Sequence, residues 1–297
     1  MPYFGWMANR RGKYRFCRWA FVVLLLAFFI AKACSWLVTY SEILALSKDC
    51  VESDEFRDLR ISPENVKLVQ RCADELSVSF QECLAVTMVM NRFELSQENS
   101  FDENEIMRVR NLLLKKREET FPILVSAYEK IFSDLKCYPI PLNSKKGKNM
   151  QSYFENSFGE ARNYGGERSH EGIDIFGKED VEGYYPVVSV SEGTVEKIGW
   201  LTLGGYRIGI RSPHGGYFYY AHLSEYAKAF QEGDRVMAGE LLGFMGNTGY
   251  GPEGTKGKFP VHLHFGIYIT GSHQEEISVN PYPVLLILKK NIQEYHY

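Results

Sequence analysis

Several things are scarce in this 297-residue chain, and each scarcity narrows what it can be. No cysteine follows Cys137, and no two cysteines stand in CxxC spacing, so a cysteine-based zinc site has no support. Basic charge is not in excess: 34 Lys and Arg face 37 Asp and Glu, a formal net charge of −3. That removes the electrostatic case for a nucleic-acid partner, which needs a concentrated basic face. Internal repeats and low-complexity tracts are missing, which excludes a repeat architecture. Glycine is nearly absent from the first half, with 24 of the 26 glycines lying after Lys146. The shift marks a change from helical to turn-rich architecture.

What is present begins with an N-terminal charge cluster. Arg10, Arg11, Lys13, Arg15 and Arg18 precede an apolar run from Trp19 to Ala31, interrupted by Lys32 and partly resumed by residues 35–40. Read as one span, Trp19–Tyr40 has about the ~20 residues a bilayer requires. Lys32 is near enough to one end to snorkel. Residues 1–18 then form a cytoplasmic basic N-terminus, 19–40 a transmembrane anchor, and everything beyond is translocated, because flanking basic residues set orientation. A cleaved signal peptide is the rival reading, with Ala31-Lys32-Ala33 as a small-x-small site. A buried core helix is the third. The first two agree on export to the cell surface. Cys50, Cys72, Cys83 and Cys137 would lie in the exported part, where disulfides are permitted and three pairings are open.

The segment 41–138 reads as a small helical domain. Ser62 and Pro63 offer an N-cap with proline at the first helical position. Ser79 and Glu82 have capping-box spacing ahead of Cys83, Leu84, Val86 and Met88. Glu103–Glu119 is charged and amphipathic, and Pro122 is expected to start a further helix with Ile123, Ala127, Ile131 and Leu135 recurring every four residues. Its role is open: a spacer or a docking module for a protein partner. No acidic residue there stands out as a glycosidase-type acid, with Glu82 and Glu94 left open.

Residues 139–150, with Pro139, Pro141 and the run 144–148, read as a linker. Beyond it, 151–297 breaks into short β segments: Pro186–Val190, Gly193–Ile198, Tyr206–Ser212, Tyr217–Leu223, Leu241–Met245 and Val261–Thr270. Gly204-Gly205 and the stretch 213–216 punctuate them as hairpin turns. The fold class expected is a mainly antiparallel β domain, a sheet core or sandwich, preceded by the helical domain and the N-terminal helix.

Four of the seven histidines fall in three short motifs: His170-Glu-Gly-Ile-Asp174, Tyr220-Ala-His222-Leu223 and His262-Leu-His264-Phe265. In a strand, His262 and His264 project on one side, about 7 Å apart, with Leu263 and Phe265 on the other. Two imidazoles on one face of an apolar strand are costly unless they bind something. One can hold a metal while the other addresses its water. His170 and Asp174 could complete a His-Asp-His set that leaves zinc's fourth position open, as in catalytic rather than structural sites. Each motif alone has a plainer reading: a cross-strand polar pair, a hydrogen-bonded structural histidine, a loop ion pair. Their joint occurrence argues for chemistry.

The order His-x-x-x-Asp, Tyr-Ala-His-Leu, His-Leu-His-Phe resembles the LytM/lysostaphin family of zinc metalloendopeptidases. Gly233–Gly239, Gly243–Gly249 and Asn280-Pro281 are similar to the family's connecting segments, so the resemblance runs roughly from Tyr164 to Leu285. It implies one Zn²⁺ per chain held by His170, Asp174 and His264, with His222 and His262 as the catalytic pair. It also implies the family's duplicated hybrid motif fold, an antiparallel β fold with a narrow groove, and bacterial peptidoglycan cross-bridges or stem peptides as substrate. One of the two histidines would take a proton from the zinc-bound water and the other would stabilise the oxyanion or protonate the leaving amine. His262 is favoured as the base because its neighbour is a ligand. Tyr164 is either an added phenol donor or a packed aromatic. The loop Tyr250–Val261 is longer than in many relatives and is expected to reshape the groove. His214, His273 and His296 match no motif and are expected to face solvent.

The function expected is therefore a membrane-anchored, exported zinc endopeptidase that hydrolyses peptidoglycan, its partners being the wall and the cytoplasmic membrane. Two alternatives stand beside it. One is a non-catalytic domain of the same fold that binds wall or activates another hydrolase, and the other is a secreted zinc peptidase with protein substrates.

Overall fold

The computed structural model describes residues 5–97, 99, 101–143, 151–163 and 166–295. It divides into two compact units, Met1–Leu46 and Ser47–Tyr297.

The first unit is a helix, α1 (Gly5–Ala45). Among the described residues, its stretch Arg18–Ala45 is the one helix long and apolar enough to cross a membrane. The side chains of Phe21, Leu24, Phe28, Phe29 and Ile30 are exposed. An exposed apolar surface of this kind does not suit a core helix, leaving anchor or signal as readings.

The second unit begins with α2 (Asp54–Arg57), α3 (Pro63–Leu76), α4 (Phe80–Met90), α5 (Glu103–Lys116) and α6 (Thr120–Phe132). The caps follow the sequence: Ser62 Oγ accepts from Asn65 N, and Ser79 Oγ from Glu82 N. Glu82 does not reach back as in a full capping box; it binds Arg110 at 2.9 Å, packing α5 on α4. Helix α6 starts two residues before Pro122, and its buried stripe is Phe121, Leu124, Tyr128 and Ile131, so Ile123 and Leu135 lie off the core face. Cys50, Cys72, Cys83 and Cys137 are free and buried. Burial pushes the thiols of Cys50 and Cys83 up to about 12, which leaves them unreactive.

The remainder forms a ten-stranded sheet in which every pairing is antiparallel. Its strands are β1 (Ser152–Phe154), β2 (Ile173–Gly177), β3 (Pro186–Val188), β4 (Gly193–Leu201), β5 (Gly205–Arg211), β6 (Tyr217–Tyr226), β7 (Arg235–Val236), β8 (Leu241–Met245), β9 (His262–Thr270) and β10 (Glu276–Val279). The main order is β7-β4-β5-β6-β9-β2-β1; β8 bridges β6 and β3, and β10 pairs with β9. A last helix, α7 (Tyr282–Leu288), follows β10.

Period-two alternation gives the sheet two characters. Leu263, Phe265, Ile267 and Ile269 of β9 are 0% exposed on the core face, with Ile208 and Ile210 of β5 beside them. The other face carries His262, His264 and Tyr268.

Helices and sheet are stitched together. Arg57 donates to Ser278 O and Oγ at 3.0 and 2.9 Å, and Lys130 Nζ to Thr270 O at 2.9 Å. Asp134, after α6, accepts from His214 N and approaches its Nδ1, both at 2.8 Å. The described start of the expected linker is not free: Val188 N donates to Pro139 O at 2.9 Å, and Tyr138 and Ile140 are buried. Apolar side chains there gain more from the core than from water. Residues 144–150 lie outside the described residues.

Candidate metal centre and groove

Strand pairing builds the centre. In the antiparallel register of β9 with β2, His264 stands directly opposite Asp174. His170 precedes β2 by a tight Glu171-Gly172 connection, and its N–H donates to Glu160 O at 2.9 Å. Gly172 in that connection is required sterically, since a Cβ there would lie 2.6 Å from His264 Nε2 and from Phe265 O.

His170 Nε2, Asp174 Oδ1 and His264 Nδ1 converge, with mutual separations of 3.0–3.1 Å. His170 Nδ1 lies 2.9 Å from the Ser157 carbonyl oxygen, which only accepts, so the ring proton sits on Nδ1 and Nε2 offers a lone pair. Asp174 Oδ1 also offers only lone pairs, and His264 Nδ1 can donate to just one of the two. No set of tautomers satisfies all three contacts, whereas a cation between them does. Zinc with tetrahedral bonds of ~2.0–2.1 Å separates its ligand atoms by about 3.3 Å, close to the spacing found. The donor set therefore fits zinc.

Arg162 completes the surroundings. Its Nη2 donates to Asp174 Oδ2 at 3.0 Å, leaving Oδ1 for the centre. The same nitrogen lies 2.9 Å from His170 Nδ1, but a protonated Nδ1 accepts nothing, so the carboxylate is its partner.

Two further imidazoles stand beside the triangle. His262 Nδ1 donates to Pro260 O and His222 Nδ1 to Thr248 O, each at 2.8 Å. Both Nε2 atoms are thereby left bare, and that of His262 lies 3.7 Å from Asp174 Oδ1. The two rings are 4.7 Å apart, centroid to centroid. Burial pushes His222, His262 and His264 below their ordinary values. His222 has φ +62°, a left-handed conformation inside a strand, where the β6–β8 pairing is irregular just beyond it. Strain of that kind persists where the surroundings dictate it, commonly at functional sites.

All five residues line one groove of about 730 Å³. The loop Tyr250–Val261 supplies one wall: Phe259 packs at 4.6 Å on His222 and 5.0 Å on His262, with Tyr250 edge-on to Phe259 at 4.8 Å. Arg168 donates to the Tyr250 hydroxyl at 3.3 Å across the groove. Arg162, Arg168, Arg207, Tyr219 and Phe259 were not flagged by the sequence as site residues. Arg162, Arg168, Tyr219 and Phe259 lie within or near the motifs, a proximity that could have pointed to them; Arg207 arrives through strand register.

Other expected candidates fall elsewhere. Glu82 is paired with Arg110, and Glu94 binds Arg60 and Ser96, both away from the groove. His273 is exposed and pairs with Asp49; His214 is half-exposed but holds Asp134. Tyr164 and His296 lie outside the described residues.

Residues 168–278 match peptidase family M23. The chain is 41% identical over 165 residues to the L-Ala–D-Glu endopeptidase of Bacillus subtilis (strain 168), a match covering 56% of this chain and 47% of that protein. It is 33% identical over 119 residues to the glycyl-glycine endopeptidase ALE-1 of Staphylococcus capitis, covering 39% of this chain and 29% of the relative. The chain thus spans less than half the length of these curated relatives. A crystal structure of lytM from Ruminococcus gnavus is 38% identical with a TM-score of 0.71, covering 86% of this chain and 98% of that one. A match of that extent takes in helices as well as sheet.

Proposed function

Because the chain belongs to peptidase family M23, we propose that it is an exported zinc endopeptidase that hydrolyses peptide bonds of bacterial peptidoglycan. The observation that carries this reading is the convergence of five side chains in one groove, three spaced to hold a cation and two with bare Nε2 atoms beside them. His170, Asp174 and His264 would hold the zinc, with Arg162 orienting Asp174. When bound, zinc supplies Lewis-acid polarisation of a carbonyl and lowers the pKa of a coordinated water.

The chain's own residues handle protons and position. His262, fixed by Pro260 O and closest to the triangle, presents Nε2 to take a proton from the attacking water. His222, fixed by Thr248 O, faces the same space and, once protonated at Nε2, gives that proton to the leaving amine or donates it to the developing oxyanion. Phe259 and Tyr250 wall this pair off from solvent. Helix α1 with its N-terminal basic cluster would hold the catalytic unit outside the membrane, as an anchor or as a signal before cleavage. The bond we place in the groove is the one named for the Bacillus relative, L-Ala–D-Glu, whose match extends furthest along this chain of the two curated relatives above.

Digestion of purified peptidoglycan by the zinc-loaded chain, followed by mass spectrometry, should reveal new amino-terminal D-Glu. New termini at another residue would move the bond. Wall binding without any new amino terminus would favour the non-catalytic reading.

A further inference from the structure

Arg207 and Arg211 stand four residues apart on the groove-side face of β5, and their surroundings are opposite. Arg211 is saturated: Nε and Nη2 bind Glu196 at 2.6 and 2.8 Å, Nη2 binds Glu276 at 2.5 Å, and Nη1 donates to Gly215 O at 3.0 Å. Arg207 lines the groove, yet its Nη1 is buried without a hydrogen-bond partner. No carboxylate among the described residues pairs with it. Of the groove's acids, Asp174 is held by His170, His264 and Arg162, Glu276 by Arg211, and Glu171 forms no ion pair. The nearby phenols do not compensate either. Burial pushes Tyr217 up to about 12 and raises Tyr219, with Arg207 opposing only in part, so both stay neutral.

A buried guanidinium donor with nothing to donate to is costly, and a carboxylate is the partner that fits its planar fork. Register places Arg207 on the path of a bound peptide. Tyr206 pairs with Leu223 and Ile208 with Tyr220, so Arg207 faces the bulge at Ala221 and His222. Ala221 pairs with His264, and His264 with Asp174. Arg207, Ala221, His264 and Asp174 therefore form one row across four strands. Two strand spacings, about 10 Å, separate Arg207 from His264, and the methyl group of Ala221 leaves the space between them open. That gap is about three residues of extended chain, so a peptide reacting at the His264 end brings an adjacent residue within reach of Arg207. Gly209 shapes the same wall, since a Cβ there would meet the Tyr217 hydroxyl at 1.9 Å.

We propose, resting on the peptidase reading above, that Arg207 is a specificity-determining residue that binds the free carboxylate of an acidic residue beside the scissile bond. In an L-Ala–D-Glu bond that group is the α-carboxylate of D-Glu, free when the chain continues through its γ-carboxyl.

The test uses two synthetic peptides, L-Ala–γ-D-Glu–L-Lys with the D-Glu α-carboxylate free or converted to the carboxamide. With the full-length zinc-loaded chain, kcat/KM should favour the carboxylate by on the order of tenfold or more, chiefly through KM. Arg207→Gln should bring that ratio to about one, and Arg207→Lys should restore part of it. A wild-type ratio near one, or a ratio unchanged in Arg207→Gln, overturns the assignment. Cleavage of either peptide tests the peptidase reading separately, so binding is also read by calorimetry on the full-length His262→Ala chain. The carboxylate should bind about tenfold tighter than the carboxamide, and a second substitution, Arg207→Gln, should remove the difference. Equal binding defeats the role of Arg207 whatever happens to turnover. Should Arg207→Gln not fold, the wild-type ratio and the Arg207→Lys ratio decide the matter.

Discussion

The helical segment 54–132 and the groove face of the sheet treat buried polar atoms differently. Among the helices, Asn65 Nδ2 donates to Leu95 O at 2.6 Å and to Gln97 O at 2.5 Å, and Thr87 Oγ1 donates back to the carbonyls of Cys83 and Leu84 at 2.9 and 3.0 Å. The Tyr128 hydroxyl is the exception. Along the groove, three lone-pair atoms crowd within 3.1 Å of one another, while Arg168 Nε and Arg207 Nη1 are buried with no partner. Polar groups in the first region complete a fold, and those in the second await something from outside it. Substitutions in the helices should therefore cost stability and spare turnover, and substitutions in the groove should do the reverse.

The sharpest break of that contrast is His264→Ala or Asp174→Ala. Either should lose zinc, measured by metal analysis of the purified chain, and with it essentially all hydrolysis, while the circular dichroism spectrum persists. Full zinc occupancy in both would reassign the ligands. Next, His222→Ala and His262→Ala should keep the metal and lower kcat by ~10²-fold or more, the usual scale of acid–base contributions. Near-normal wall hydrolysis by either variant would make that histidine structural.

On the helical side, Leu84→Ala, at a residue 0% exposed, should cost ~2–5 kcal/mol in denaturant unfolding and leave kcat/KM of the folded fraction unchanged. A change in kcat/KM would show that the helices communicate with the groove. Smaller still is Asp134→Asn, which weakens the tie to His214 and should cost ~1–3 kcal/mol near neutral pH. Burial acts to raise the Asp134 carboxyl, but hydrogen bonds from His214 outweigh it and lower its pKa. A depressed folded-state pKa contributes stability that is complete above the unfolded value of about 3.9 and is lost as pH falls through the folded one. The difference between wild type and variant should accordingly shrink in acid; a gap that widens there would reverse the sign.

How much of this was legible beforehand follows from how locally each feature is encoded. The Ser62 and Ser79 caps were readable because the cap and the N–H that donates to it lie within one turn. His262 and His264 were readable because a strand's alternation needs only adjacent residues. The start of α6 was misplaced because Pro122 is equally tolerable at the third helical position, where its missing N–H costs nothing. Arg162 reaches the site on a two-residue strand paired with residues 168–169, too short to show a period, and Phe259 on a loop. Arg207 needs the register of two strand pairings and a bulge to fall in line with His264. Ile140 reads as linker because flanking prolines mask how apolar the stretch is.

The direct pairing of His264 with Asp174 has a consequence for how such a protein can diversify. Two of the three cation-holding atoms take their spacing from the hydrogen-bonded ladder between β2 and β9, and no loop conformation enters into it. The excursion Tyr250–Val261 leaves the sheet before that ladder and returns as it begins. It can be lengthened, shortened or exchanged while the chemistry keeps its dimensions. Selectivity and reactivity are then separately tunable: insertions redraw the wall at Phe259 and Tyr250, whereas a one-residue slip of β9 would turn both imidazoles into the hydrocarbon core.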